Sequence, residues 1–305
     1  MDGTFLLQQL VNGLTLGSVY ALIALGYSLV YGILKLLNFA HGEVYMIGAF
    51  IGYFVLIGLG GPEDLAVPVV VALTLMFLAA MLGSGLLGVL IERFAYRRLR
   101  NAPRIAPLIT ALGVAFFLQS SALLLFGAQF RSYGTFQFMS GGIEVAGVRI
   151  STTRILVVVA AFSLMIALTL LVGRTTLGKA MRATAYDREA AAMMGIDVDR
   201  VIVATFLIGS ILAGAAGVMF GLVFFSVYHL MGFTAGLKGF TAAVVGGIGS
   251  IPGAMLGGLL IGLAEAFSAA YISSTFQDLI VFSILIAVML FRPTGLLGKA
   301  DIRKV

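Results

Sequence analysis

Cysteine and tryptophan are absent from this chain of 305 residues, and only two of its residues are histidine. The lack of cysteine excludes disulfide bonds and metal sites built on thiolates. Charged residues make up only 10% of the chain, against roughly 25% in soluble domains. The sequence also shows no combination of serine, histidine and aspartate, and no pair of carboxylates, that would indicate a catalytic site.

Apolar residues dominate the composition instead. They make up 61% of the chain, and the mean hydropathy is +1.11, whereas soluble domains hold roughly 45–50% apolar residues. A helix needs about 20 mostly apolar residues to cross a bilayer. On that basis the sequence predicts membrane spans near residues 8–33, 40–59, 68–91, 105–127, 154–173, 201–226, 252–271 and 276–292. Without tryptophan, tyrosine and arginine must anchor these spans at the membrane interfaces.

The segment 233–250 does not fit this simple pattern. It is short, it carries Lys238, and it breaks at Gly246-Gly247-Ile248-Gly249. We therefore predict a discontinuous or re-entrant segment, which a membrane protein tolerates only inside the protein or beside a cavity. The predicted fold is all-α, a polytopic transmembrane helix bundle of about eight or nine spans, in a single domain over residues 1–305.

Glycine is abundant, with 39 residues. Small residues let transmembrane helices approach closely where the lipid supplies no hydrophobic driving force. The spacing Gly-x-x-x-Gly predicts close helix packing within the subunit, or else contacts between subunits, at Gly13/Gly17, Gly48/Gly52, Gly217/Gly221, Gly253/Gly257 and Gly258/Gly262.

Basic residues are unevenly distributed among the predicted loops. The loop 128–153 holds only Arg131 and Arg149, with Arg154 at its edge. Because cytoplasmic loops are enriched in lysine and arginine, the opposite side is predicted to be cytoplasmic, and the N-terminus lies outside if 233–250 crosses fully. The cytoplasmic side then collects 14 of the 19 basic residues: Arg93, Arg97, Arg98, Arg100, Arg104, Arg174, Lys179, Arg182, Arg188, Arg200, Arg292, Lys299, Arg303 and Lys304.

The N-terminus does not resemble a cleaved signal peptide. Asp2 stands where a basic segment would be needed, and the apolar run from Phe5 to Leu34 is too long. We therefore expect the first span to be retained.

One cytoplasmic loop has signals for a short helix with a cap at each end. The carboxylate of Asp187 can accept the free N–H groups of a first helical turn, and Gly195 can adopt the left-handed conformation that closes a helix. The intervening residues 188–194 would form a helix of about 10 Å. A connector between two spans needs no such ordered helix unless another molecule docks on it.

Three sequence blocks resemble a known family. The pattern Glu189-Ala190-Ala191-x-x-x-Gly195 between two spans resembles the loop by which permeases of bacterial binding-protein-dependent ABC importers meet their ATPase. The run Leu37-Asn38-Phe39-Ala40-His41-Gly42-Glu43 and the block from Gly239 to Ala254 resemble the branched-chain amino acid permeases of the LivH type. Together the three blocks extend over nearly the whole chain, so the resemblance is global.

The resemblance implies a translocation subunit that alternates between outward and inward states. It implies a paralogous permease as heterodimer partner, two cytoplasmic ATPase subunits and a periplasmic amino-acid-binding protein, all at the bacterial inner membrane and with no role for nucleic acid. The residues that would transmit the ATPase movement are Arg182, Asp187, Arg188, Glu189, Ala190, Ala191 and Gly195.

The chain itself lacks a nucleotide site. The run from Gly173 to Ala180 nearly matches a phosphate-binding loop, but Ala180 has no hydroxyl for Mg²⁺ and a membrane helix precedes the run instead of a strand. We expect no enzyme activity and no bound cofactor, with ATP and Mg²⁺ held by the partner subunits.

Five polar residues are candidates for the translocation path. Asn38 can cap the second span, whereas His41 and Glu43 either stabilise its start or line the path, and their spacing argues against a metal pair. Lys238 either lines a cavity or extends to the membrane interface. Glu265 lies within a span, where an acid usually faces a cavity or a partner, or else serves as a structural hydrogen-bonding group.

Other transport functions remain open at this point. A permease for urea or short amides would carry the same family blocks. A secondary transporter would need ion-coupling acids within the spans, where Glu265 is nearly alone. A passive channel would not need the capped cytoplasmic helix.

Overall fold

The computed structural model describes residues 3–99, 102–103, 105–134 and 141–298. Eleven α-helices account for most of these residues. They are α1 (Gly3–Leu34), α2 (His41–Gly58), α3 (Val69–Ile91), α4 (Ile105–Phe126), α5 (Thr152–Arg174), α6 (Thr176–Tyr186), α7 (Arg188–Met193), α8 (Val198–Phe224), α9 (Met231–Gly246), α10 (Ile251–Tyr271) and α11 (Gln277–Phe291).

The predicted membrane bundle is confirmed. Within the described residues, eight helices are long and apolar enough to cross a membrane, and they correspond one by one to the eight predicted spans. α3 continues through a π-helical turn over Glu92–Tyr96 and a 3-10 turn over Arg97–Leu99. A 3-10 turn over Ser274–Phe276 precedes α11.

The helix α1 forms the centre of the bundle. It packs against α10, α8 and α9 along most of its length, and its residues from Val19 to Ala24 are almost fully enclosed. By contrast, α4 and α11 expose most of their surface. Apart from the hydroxyl of Tyr20, the part of α1 from Val19 to Ala24 carries no polar side chain, so other helices can enclose it on all sides.

Glycines create the closest helix contacts, as the Gly-x-x-x-Gly spacing predicts. A Cβ on Gly17 would lie 2.8 Å from the Cα of Leu259. Gly258 and Gly262 of α10 are pressed against Ala21 and Gly17 of α1. Because these contacts lie within the chain, packing inside the subunit accounts for this spacing.

The second span begins deep inside the bundle. After α1 the backbone turns at Lys35, where φ is +53°, and residues 36–40 run back alongside α1. The ring of His41, the first residue of α2, then fills the space beside Gly26 in α1, which in turn touches Gly209 in the middle of α8. The polar start of α2 is therefore enclosed by other helices.

The predicted capping role of Asn38 is wrong. Ala40 occupies the N-cap position of α2, and no side chain caps this helix. The Oδ1 of Asn38 instead accepts a hydrogen bond from the hydroxyl of Tyr96 at 3.1 Å. The π-helical turn after α3 supplies this hydroxyl, and the sequence gives no signal for it.

The segment 233–250 forms most of a short helix, α9, with 16 residues. It begins beside the start of α2 and ends at Gly247, whose φ of +111° breaks the helix at the predicted glycines. The N–H groups of Leu296 and Leu297 donate to the carbonyls of Val245 and Gly246 at 2.9 Å each. The segment after α11 therefore supplies hydrogen-bond donors to the last carbonyl groups of α9.

The two ends of the bundle differ in structure. At one end, α6 and α7 pack near the end of α1, and Arg97 pairs with Asp199 at 2.5 Å. At the other end lie two small antiparallel sheets that the all-α prediction did not include. They pair β1 (Arg131–Ser132) with β4 (Ser226–Val227), and β2 (Gly142–Val145) with β3 (Val148–Ser151).

The sheet end is closed by a buried tyrosine. The hydroxyl of Tyr133 donates to the carbonyl of Ala49 at 2.5 Å, and its ring covers Gly221 of α8. Burial raises the pKa of this hydroxyl, so it remains a donor. The start of α1 lies at the same end, because a Cβ on Gly147 would lie 3.2 Å from the Cγ2 of Thr4.

The described basic residues follow the predicted division between the two ends. Arg93, Arg97, Arg174, Lys179, Arg182 and Arg188 lie at the end that carries α6 and α7, whereas Arg131 and Arg149 lie at the sheet end. Five of the basic residues used for the prediction lie outside the described part of the chain: Arg100, Arg104, Lys299, Arg303 and Lys304.

Candidate functional site

The predicted capped helix is present as α7. The Oδ1 of Asp187 accepts from the backbone N–H groups of Glu189 and Ala190 at 2.9 and 3.0 Å. Gly195 has a φ of +83° and the N–H of Ile196 donates back to the carbonyl of Ala191 at 3.1 Å. Both caps are as predicted, although the helix itself covers only Arg188–Met193.

Large apolar side chains are exposed in α7 and on either side of it. Tyr186, Met193 and Met194 are 82%, 82% and 83% exposed, whereas Ala191 is buried against the bundle. Glu189 and Ala190 are also exposed. Exposed large apolar side chains grouped on a charged loop are typical of a surface that another protein covers. We call these three side chains the docking surface.

Arginines join the docking region to the membrane helices. The guanidinium of Arg188 donates to the carbonyl of Ile33, near the end of α1, at 2.8 and 3.2 Å. Arg182 donates to the carbonyl of Val172 in α5. Charge-assisted hydrogen bonds therefore tie α7 to α1 and α6 to α5.

The starts of α2 and α9 meet inside the bundle. A Cβ on Gly42 would lie 2.9 Å from the Cα of Gly236, and Gly232 touches the carboxyl group of Glu43. The ring of His41 packs edge-on against Tyr27 at 4.9 Å between centroids. Among the described residues, neither the Oε2 of Glu43 nor the Nε2 of His41 has a hydrogen-bond partner, although both are buried.

Lys238 and Glu265 form an ion pair that the sequence did not predict. The Nζ of Lys238 lies 2.7 Å from the Oε1 of Glu265 and 2.8 Å from the Oδ1 of Asp278. The hydroxyl of Tyr20 donates to the Oε2 of Glu265 at 2.9 Å. Lys238 is only 6% exposed, so its ammonium group is held inside the bundle by side chains of α10 and α11.

This ion pair borders a cavity of about 480 Å³ between α1, α5, α8, α9 and α10. Arg154, the third residue of α5, also lines this cavity, and its Nη1 donates to the Oδ1 of Asn12 at 2.5 Å. The rest of the lining includes the aromatic and aliphatic side chains of Leu16, Phe220, Val223, Phe224 and Met231.

The five candidate path residues thus separate into two groups. Asn38, His41 and Glu43 surround the start of α2, while Lys238 and Glu265 line the cavity on another face of α9. Sequence reasoning missed Tyr20, Asn12 and Asp278, because a pair formed between distant helices leaves no local pattern. Within the described residues, no group of three or more histidine and acidic side chains could hold a metal ion.

Comparisons with known proteins agree with this architecture. Residues 9–290 match the family described as branched-chain amino acid transport system / permease component. The high-affinity branched-chain amino acid transport system permease protein BraD of Pseudomonas aeruginosa is 46% identical over 304 residues, which cover 98% of each chain. The corresponding permease protein LivH of Escherichia coli K12 is 43% identical, over 99% of this chain and 98% of the relative.

A solved structure shares the fold at much lower identity. The chain is similar to one in the structure of PsaBC from Streptococcus pneumoniae in complex with Fab, with a TM-score of 0.50 and 14% identity over 95% of this chain and 92% of that chain. This similarity concerns the fold alone, whereas the sequence matches extend over almost the full length. The chain therefore belongs to the family of branched-chain amino acid transport permeases and is a multi-pass membrane protein.

Proposed function

We propose that this chain is the translocation subunit of an ATP-driven importer that carries branched-chain amino acids across a bacterial inner membrane. The observation that carries the proposal is the capped helix α7 with its exposed apolar docking surface. A loop between two spans has no reason to keep three large apolar side chains in water unless a partner covers them.

The partner at the docking surface is an ATPase subunit. Binding of ATP by two such subunits moves α7, and Arg188 passes this movement to the end of α1. Because α1 is enclosed by α8, α9 and α10, a shift of α1 changes the packing around the starts of α2 and α9. The bundle then alternates between an outward-open and an inward-open state.

The proposal also includes a binding protein and a second permease subunit. The end that carries α7 faces the cytoplasm, and the sheet end faces the periplasm, where a binding protein delivers the amino acid. A paralogous permease completes the transmembrane unit as a heterodimer. ATP and Mg²⁺ are bound by the ATPase subunits and not by this chain, and the chain forms a single permease domain.

Reconstitution tests the proposal directly. We expect liposomes that contain this chain, its permease partner, two ATPase subunits and internal ATP to accumulate leucine supplied with the binding protein. Liposomes without the ATPase subunits should not accumulate leucine. Accumulation against a gradient by the permease alone would contradict the proposal. Preferential uptake of urea or a short amide by the complete assembly would show that the importer carries a different substrate.

A further inference from the structure

The cavity beside Lys238 and Glu265 has the chemistry of an amino-acid site. We propose that it binds an α-amino acid as a zwitterion, with Arg154 holding the carboxylate and the Glu265 side of the cavity holding the ammonium group. The inference rests on the proposed function, because it places a substrate within this one subunit. It gives the importer a resting site beside the start of α9.

The positive pole of the cavity is Arg154. Its described side-chain partner is the neutral amide oxygen of Asn12 at 2.5 Å. Among the described residues, no acidic side chain lies within ion-pair distance of its guanidinium. A guanidinium has five N–H donors in a planar fork that matches a carboxylate. Arg154 therefore retains donors for an anionic group in the cavity.

The negative pole of the cavity is the ion-paired cluster of Lys238, Glu265 and Asp278. Two carboxylates, from Glu265 and Asp278, surround the single ammonium of Lys238, so the cluster carries one net negative charge when all three groups are ionised. Each carboxylate oxygen can accept about two hydrogen bonds. Glu265 uses one at each oxygen, to Lys238 and to Tyr20, and retains the capacity to accept from a ligand ammonium.

The apolar wall completes the match. Leu16, Phe220 and Val223 also line the cavity, and the volume of about 480 Å³ lies within the range of roughly 300–1,000 Å³ for small-molecule sites. An aliphatic amino acid satisfies both poles and the wall together. A sugar or urea carries no charge, so it would leave both poles without counter-charges.

Equilibrium binding to the assembled importer without its binding protein tests the site. We expect the wild-type assembly to bind radiolabelled leucine saturably, and to bind leucinamide and 4-methylpentanoate much more weakly, because each lacks one of the two charges. Arg154→Gln should weaken leucine binding by about tenfold or more, as expected for a lost charged hydrogen bond. It should leave leucinamide binding unchanged, because leucinamide has no carboxylate. A general structural defect would not produce this selectivity.

The control is Arg149→Gln, which removes an exposed arginine of β3 at the same end of the bundle. Ala269→Phe provides a second variant that fills the cavity without changing its charge, and it should abolish leucine binding. Equal wild-type affinity for leucine and leucinamide, or the absence of saturable leucine binding, would overturn the proposal. Normal leucine binding by either cavity variant would do the same. If uptake by the complete assembly persists in these cases, the proposed function stands and only the site is wrong.

Discussion

At the scale of single residues, the buried charges of α9 and α10 have the largest energetic consequence. Lys238 and Glu265 pair across two helices, and Tyr20 and Asp278 supply the second hydrogen bond to each. Removing one partner of a buried pair typically costs about 3–5 kcal/mol, because the other charge is left without compensation. The pair therefore constrains how α9 and α10 can move relative to each other.

Glu265→Leu should destabilise the subunit strongly, because it leaves Lys238 with Asp278 alone and the hydroxyl of Tyr20 without an acceptor. Glu265→Gln keeps an acceptor oxygen and should cost less. We expect the thermal unfolding temperature in detergent to fall from the wild type to Glu265→Gln, and to fall further in Glu265→Leu. Asp278→Asn is the matched control, since Asp278 has a side chain that is 57% exposed. Equal unfolding temperatures for all four proteins would show that a water-filled space already solvates Glu265.

A second residue-scale prediction concerns the contact of α1 with the start of α2. In Gly26→Ala the new methyl group would collide with the ring of His41, and overpacking of this kind typically costs about 1–3 kcal/mol. Gly113→Ala in α4 is the control, because nothing lies within 4 Å of the added atom. Gly26→Ala should unfold at a clearly lower temperature than Gly113→Ala. An unchanged unfolding temperature for Gly26→Ala would mean that His41 is free to move away.

At the scale of elements, the capped helix α7 could be predicted from sequence almost completely. Its two caps depend on the side chain of Asp187 and on the backbone freedom of Gly195, which are properties of single residues. The long spans could also be predicted, because hydropathy is a local average. The Lys238–Glu265 pair, the turn at Lys35 and the two small sheets could not, since each depends on which distant segments meet.

Gly195→Val should uncouple the importer. A β-branched residue at a φ of +83° is strained, with a cost of about 1–2 kcal/mol for the left-handed conformation, so the end of α7 should shift. We expect ATP hydrolysis by the assembly to continue while leucine uptake falls. Gly127→Val is the matched control, because Gly127 has the same φ of +83° and equally open surroundings, but follows α4 at the other end of the bundle.

Glu189→Lys tests the contact face of α7 without strain, because Glu189 is exposed and its side chain can change sign at little cost to folding. The same loss of coupling is expected there. Normal uptake by both α7 variants would exclude this helix as the coupling element.

At the scale of the whole molecule, the structure makes sidedness testable. The first turn of α1 and the loop around Gly147 lie at one end, and α7 lies at the other. Since the natural chain lacks cysteine, a single introduced thiol reports its own location.

We expect Thr4→Cys to react with a membrane-impermeant maleimide in intact cells. Met194→Cys should react only after the membrane is opened. Both positions are exposed in the subunit, so when it is expressed without the ATPase subunits a failure to label would reflect the side of the membrane and not burial. Labelling of Met194→Cys from outside the cell would reverse the orientation and remove the basis for an ATPase contact at α7.

The enclosed start of α2 also has a consequence for the biosynthesis of the protein. Its neighbour Gly232 belongs to α9, and Gly217 of α8 packs against Tyr45 and Ala49 of α2. Both helices leave the ribosome long after α2. Until they arrive, Glu43 lacks its contact with Gly232 of α9, and an acid in lipid is costly. The first half of the chain is therefore not an independent membrane unit. We expect fragments that end before α8 to wait at the insertion machinery and to be degraded by membrane proteases, so that integration of α2 is completed only when synthesis of α9 is finished.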